Sequence, residues 1–198
     1  MANVNRQWVL AKRPHGNVSK ANFEYREGRI PKPKDGQLLV RNLYLSFDPT
    51  QRGWMEDRPS YLPPVKIGEV MRASSVGEVV VSNHPDFAPG DKVMTGGGWQ
   101  DYCVASPAGA PFGVNKLPAG VPLTMPLSVL GVTGLTAYWG MLDLGQPKAG
   151  DTVLVSGAAG ATGSVAGQIA RIKGCRVVGI AGGAEKCKWL KKDARFDA

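Results

Sequence analysis

Up to about Pro126 the apolar residues come in short runs interrupted by proline and glycine. Gln7-Trp8-Val9-Leu10, Leu38-Leu39-Val40-Arg41, Gly77-Glu78-Val79-Val80-Val81 and Lys92-Val93-Met94 are separated by turn-forming stretches such as Pro31-Lys32-Pro33-Lys34-Asp35-Gly36 and Ala88-Pro89-Gly90-Asp91. Short strands punctuated in this way predict an antiparallel barrel or sandwich. Beyond Pro126 the texture changes, and Leu127 to Leu142 reads as helical segments broken near Gly131 and Gly134. Thr152-Val153-Leu154-Val155 is an apolar run suited to a buried parallel strand. A helix follows, marked by Val165, Ile169 and Ile172 at helical spacing, with Ala166 and Ala170 between them and Gly174 as its stop. Arg176-Val177-Val178-Gly179-Ile180-Ala181 completes a β-α-β unit. The expected fold class is therefore α/β plus β, with a β-rich domain over residues 1–125 and a nucleotide-type domain over 126–198.

Between that strand and that helix stands Gly157-Ala158-Ala159-Gly160-Ala161-Thr162-Gly163. A pyrophosphate approaches backbone N–H groups at a helix N-terminus, where the macrodipole favours negative charge, and a side chain there is an obstacle. Gly157 and Gly160 remove it from the turn, and Gly163 lets helix and strand approach closely. A glycine pattern carries little by itself in a chain with 26 glycines; the strand-turn-helix context is what gives it weight. The backbone around Gly160, Ala161, Thr162 and Gly163 is thus the candidate dinucleotide cradle, the other reading being a helix entry of small residues packed for structure alone.

An NAD site places an acid about 20 residues further on, against the ribose 2′-hydroxyl. Here the second strand runs into Ala181-Gly182-Gly183, and Glu185 is followed by Lys186 and Lys188. The missing acid and the nearby cation predict NADP, with Lys186 on the 2′-phosphate. The plainer alternative makes these lysines a solvated basic face.

Composition narrows the rest. With 24 Lys and Arg against 16 Asp and Glu the net charge is +8, but the only dense basic group is Lys186, Lys188, Lys191 and Lys192, with the single aromatic Trp189 rather than the succession of aromatics of a nucleic-acid platform. No apolar run approaches the roughly 20 residues of a membrane helix, and Met1 to Arg6 lacks a signal-peptide core, so a cytoplasmic protein is expected. Cys103, Cys175 and Cys187 are scattered and read as reduced thiols. With His15 and His84 they cannot supply a catalytic or a structural zinc site, so no metal is expected.

Leu43-Tyr44-Leu45-Ser46-Phe47-Asp48-Pro49, Arg52-Gly53, Pro59-Ser60-Tyr61, Gly131-Val132-Thr133-Gly134-Leu135-Thr136-Ala137-Tyr138, the Gly157–Val165 stretch and Ala181-Gly182-Gly183-Ala184-Glu185-Lys186-Cys187 together resemble the medium-chain dehydrogenase/reductases. Within that superfamily the match is to the zinc-independent group of prostaglandin reductases, plant alkenal double-bond reductases and bacterial curcumin reductase. The resemblance implies a GroES-like β-barrel domain, a Rossmann domain, and NADPH-dependent reduction of the carbon–carbon double bond of enals and enones by a homodimer. It also implies that Thr136 lies against the cofactor, the alternative being a small residue packed in its helix. Departures are Thr50, where relatives often carry an aromatic, Val132-Thr133 in place of Met-Pro, and Ala194-Arg195-Phe196-Asp197 in place of Leu-Gly-Phe-Asp. A doubly wound sheet has about six strands and this chain supplies two, so the Rossmann domain is expected to be incomplete and the family's later site residues to lie beyond Ala198.

Conjugate reduction builds negative charge on the carbonyl oxygen, which needs a donor. The resemblance offers Tyr61 or a cofactor ribose hydroxyl; the plainer reading of Tyr61 is a packed aromatic with its hydroxyl on solvent or backbone. Trp99 and Tyr102 are candidates for an apolar pocket wall or for core, and Arg52 for a structural ion pair rather than an anion contact. A quinone reductase on the same fold, and a non-catalytic nucleotide- or RNA-binding protein, are the competing functions.

Overall fold

The computed structural model describes residues 4–107 and 113–198. The chain divides into two compact units, Met1–Thr124 and Met125–Ala198.

In the first unit, β1 (Val4–Leu10) and β2 (Phe23–Arg29) form an antiparallel hairpin from Val4↔Arg29 to Leu10↔Phe23. Next come β3 (Leu38–Leu45), the short helix α1 (Thr50–Trp54), β4 (Ser75–Ser82), β5 (Lys92–Thr95), β6 (Tyr102–Ala105) and β7 (Asn115–Lys116). The last five strands make one antiparallel sheet in the order β6-β3-β4-β5-β7. Alternation along them turns Leu38, Val40, Val79, Val93 and Cys103 into one core. A second core gathers Leu10, Trp54, Met55, Val65 and Met71.

Of the barrel or sandwich that the strand pattern predicts and the GroES-like β-barrel that the resemblance implies, no closed barrel is seen among the described residues. The β1-β2 hairpin is a sheet of its own, tied to the rest by the lone bridges Gln7↔Gln100 and Val9↔Val70. Loop backbone stands where a barrel strand would be: Met71 N donates to Trp8 O, and Trp8 N to Trp99 O, each at 2.9 Å. Gly98, at φ +71, sits in that seam where a Cβ would crowd Met71 O at 2.8 Å. A segment in the left-handed region cannot continue an extended ladder, so pairing stops there.

The second unit contains α2 (Val132–Trp139), a π-helical turn (Gly140–Gly145), β8 (Thr152–Ser156), α3 (Ala161–Ile172), β9 (Arg176–Ile180) and α4 (Ala184–Lys192). Strands β8 and β9 pair in parallel, Thr152↔Arg176 through Ser156↔Ile180. One side of this pair is core, with Val155, Ala158, Ala170, Val177, Leu190 and Phe196. The other side leaves Leu154 and Ile180 exposed.

Two expectations need correction here. The break at Gly131 is real, since it caps α2, but Gly134 lies inside the helix. It is glycine because a Cβ would fall within the van der Waals envelope of the Val129 carbonyl. The expected apolar stripe of α3 is also displaced. Ile172 is 84% exposed, and the buried positions are Gly167 and Ala170, because Phe196 lays its ring on Gly167 and Gly179. Phe196 is carried by a terminal stretch that binds along β9: Asp197 Oδ2 accepts from Val177 N at 2.6 Å, and Gly179 N donates to Ala198 O at 2.8 Å.

The glycine at 134 makes a direct test. Gly134→Ala is expected to destabilise the second unit by about 1–3 kcal/mol, as overpacking does. Gly140→Ala, where the added methyl meets nothing within 4 Å and the backbone is helical, is expected to be neutral or slightly stabilising. Urea unfolding followed by circular dichroism checks the pair, and equal effects would contradict the close approach at Val129.

Candidate functional site

The chemistry of the second unit is concentrated where β8 gives way to α3. Gly157 adopts φ +60, Gly160 N donates to Gly157 O at 2.8 Å, and Ala158 N donates to Ile180 O at 3.0 Å, which fixes the turn to the end of β9. Gly160 caps α3 without any side-chain cap, and no acid stands in the first turn. A Cβ on Gly163 would overlap Gly157 O and lie 2.9 Å from Ala158 Cα. So only glycine lets the helix start this close to the turn. The N–H groups of Ala161, Thr162 and Gly163 have no acceptor within the helix, and an anion is the ligand that satisfies donors and dipole together.

Beside the turn, Ala159, Glu185, Lys186 and Trp189 line a hollow of about 250 Å³. Lys186 lies in the first turn of α4, which is capped by Gly183 at φ +88. It makes no ion pair among the described residues. Glu185 is the one acid in the hollow, and none stands at the end of β9, where Ala181-Gly182-Gly183 follows. The structure thus gathers Gly160, Ala161, Thr162 and Gly163 at one turn and sets Lys186 in an adjoining hollow. Thr136 is not among the lining residues: exposed on α2, its hydroxyl donates to Val132 O at 2.7 Å.

Tyr61 belongs to the first unit. Its side chain is 73% exposed, yet its hydroxyl is held. Trp54 Nε1 donates to Tyr61 Oη at 3.1 Å, and Thr50 Oγ1 shares a hydrogen bond with the same oxygen. Among the described residues both of its partners are side chains. Arg52 is structural: it pairs with Glu56 at 3.0 Å and donates to the Pro14 and Gly16 carbonyls.

Trp99 does border an open apolar hollow, of about 620 Å³, with Trp8, Phe23, Leu45 and Phe47. Its ring lies 5.0 Å from that of Phe23 and 5.1 Å from that of Phe47. Tyr102 borders a different, more polar recess with Arg41 and Asn42. Sequence reasoning singled out Trp99 but missed Trp8, read only as part of a strand, and Phe23, which begins a strand the pattern did not reveal. At the rim Arg6 makes two side-chain hydrogen bonds to Asp101, which hold the Asp101 carboxyl below its ordinary range.

Among the described residues no three His, Cys, Asp or Glu side chains converge as a metal site would require. No helix there is long and apolar enough to cross a membrane.

Comparison with known proteins adds kinship to this geometry. A family model described as the N-terminal domain of oxidoreductase matches residues 6–111. The chain is 50% identical over 196 residues to an NADPH-dependent curcumin reductase of Escherichia coli (strain K12), covering 98% of this chain and 55% of that protein. It is 39% identical over 187 residues to prostaglandin reductase 1 of Bos taurus, covering 94% of this chain and 55% of that protein. The crystal structure of CurA in complex with NADPH from Vibrio vulnificus superposes with a TM-score of 0.89 at 46% identity, over 97% of this chain and 56% of that one. The chain therefore spans little more than half the length of the relatives it matches.

The three thiols have distinct surroundings. Cys103 is buried and its thiol is pushed up to about 11 by desolvation; Cys175 is buried, and Cys187 is exposed on α4. Since the thiolate is the reactive form, a chromogenic disulfide reagent at pH 8 is expected to titrate about one thiol in the folded chain, Cys187, and all of them in denaturant. Rapid reaction of Cys103 in the folded chain would contradict its burial.

Proposed function

We propose, because the chain belongs to the zinc-independent medium-chain dehydrogenase/reductases, that the whole protein reduces the carbon–carbon double bond of α,β-unsaturated aldehydes and ketones with NADPH. In this reading the first unit is the GroES-like substrate domain. The second is the N-terminal part of a Rossmann NADP-binding domain, in a cytoplasmic homodimer.

The observation that carries it is the turn at 157–163, where a Cβ at Gly163 does not fit and the first donors of α3 stand open, next to a hollow containing Lys186. The residues fit the cofactor. The backbone of Gly160, Ala161, Thr162 and Gly163 would hold the pyrophosphate, and Lys186 the 2′-phosphate, a contact unopposed by any acid at the end of β9. The assignment of Thr136 to the cofactor rests on the resemblance alone. When bound, NADPH supplies the hydride that the substrate β-carbon accepts.

What the chain itself must supply is a donor for the oxygen that becomes enolate. Tyr61 is an exposed hydroxyl with its oxygen already positioned. Without a metal-ligand cluster among the described residues, that neutral donor suits a delocalised enolate. It is weak for the localised alkoxide of direct carbonyl reduction.

Two measurements on the whole protein test this. Lys186→Ala is expected to lower the preference for NADPH over NADH roughly 10- to 100-fold, the value of a hydrogen bond to a charged group. Equal affinities in the unmutated protein would remove the NADP assignment. Mass spectrometry of the product from an enal is expected to find the saturated aldehyde, with saturated carbonyl compounds left unreacted; an allylic alcohol would require the double-bond assignment to be withdrawn.

A further inference from the structure

Helix α1 places Thr50 and Trp54 four residues apart, and so on one face. The side of this helix that faces inward is firmly fixed. Trp54 is 5% exposed in the core with Leu10, Met55, Val65 and Met71, and the Arg72 guanidinium lies 5.4 Å from its ring. Gln51 is 4% exposed and its amide donates to Ser46 O at 2.8 Å. Two groups of this anchored helix meet Tyr61 at its oxygen, while the tyrosine ring remains in solvent. That inverts the usual arrangement, in which the ring is buried and the hydroxyl is wet.

Proton counting shows what the cluster can do. An indole N–H donates and never accepts, so Trp54 always donates to Tyr61 Oη. Thr50 and Tyr61 have one hydroxyl proton each and one hydrogen bond between them. Whichever of the two donates, one O–H is left over, and the described residues offer it no acceptor. With Thr50 as donor, Tyr61 Oη receives two hydrogen bonds and its own proton is free for an outside acceptor. Such a chain of hydrogen bonds polarises the last O–H.

We propose that Thr50 and Trp54 are positioning residues, which hold the Tyr61 hydroxyl as a directed donor to the carbonyl oxygen of the substrate. The inference rests on the double-bond reductase reading above. No bond is made or broken by Thr50 or Trp54; they fix where the tyrosine oxygen stands and leave its proton unspent.

The test uses the whole protein with NADPH and an enone, reading kcat and KM for both substrates. Thr50→Val, which removes the hydroxyl and keeps the shape, is expected to lower kcat about 2- to 10-fold, the value of one neutral hydrogen bond. KM for NADPH and the melting temperature should not change. Thr50→Ser is expected to restore kcat to within about 2-fold, and Thr50→Val should have no further effect in a Tyr61→Phe background, since coupled residues are not additive. Tyr61→Phe alone is expected to lower kcat more than Thr50→Val does, by at most the roughly 10²–10⁴-fold of a general acid. An active enzyme in which Thr50→Val changes nothing, or in which Thr50→Ser does not rescue, overturns the positioning role and leaves the reductase reading intact. Unchanged kcat in Tyr61→Phe overturns the donor itself, and an unmutated protein that oxidises no NADPH with any enone overturns the reading together with the inference. Trp54→Phe gives the second arm: loss of kcat that follows Tyr61→Phe supports the cluster, and full activity in a folded Trp54→Phe variant counts against it.

Discussion

The second unit depends on one steric condition, that the start of α3 can lie against the turn that ends β8. Gly163 meets Gly157 O there, and any side chain at 163 would lift the helix away. The same helix face continues with Gly167, four residues on, where the ring of Phe196 fills the space a Cβ would take. A glycine inside a helix costs about 0.5–1 kcal/mol relative to alanine. Burying a phenylalanine contributes about 1.5–3 kcal/mol, so the exchange at Gly167 is favourable. At Gly163 no buried side chain offsets the cost. What is obtained is a helix N-terminus placed over the strand end with its donors open, a geometry that burial does not account for.

How much of this was legible in the sequence follows from how local each feature is. The strands β3, β4 and β5 could be read because their alternation meets a single core. β2 could not be read, since from Glu24 to Arg29 it is exposed on both faces and carries charge at four of those six positions. The seam among the described residues was invisible for another reason: it is built from loop backbone around Met71 and Trp99, and backbone hydrogen bonds leave no residue signature. Phe196 and Asp197 were noticed only as a departure from a family stretch. Their role is to cover Gly167 and Gly179 and to bind Val177, contacts made 17 to 29 residues away, which periodicity does not report.

The candidate site divides along the same line. Gly160 to Gly163 and Lys186 could be named as candidates because turn and cation are set by neighbours in the chain. Tyr61 was named without its partners. Thr50 and Trp54 are 11 and 7 residues from it, across a loop with no repeat, and nothing in the spacing indicates that both converge on one oxygen. Ile172 shows the opposite error, a residue with the right period and the wrong face.

The basic cluster of α4 separates into different roles once the helix is in place. Lys191 and Lys192 occupy the last turn, where a cation gains about 0.3–1 kcal/mol from the macrodipole. Lys186 sits in the first turn, where the same dipole opposes it, and it has no carboxylate paired with it among the described residues. In the free protein such a lysine has no local stabilising reason to be there. A phosphate bound in the hollow it shares with Ala159 changes the sign of both terms, since the helix terminus and the ammonium then attract the same anion. The unfavourable placement of Lys186 therefore supports a ligand with negative charge at that point, as the 2′-phosphate of NADPH has and the 2′-hydroxyl of NADH has not.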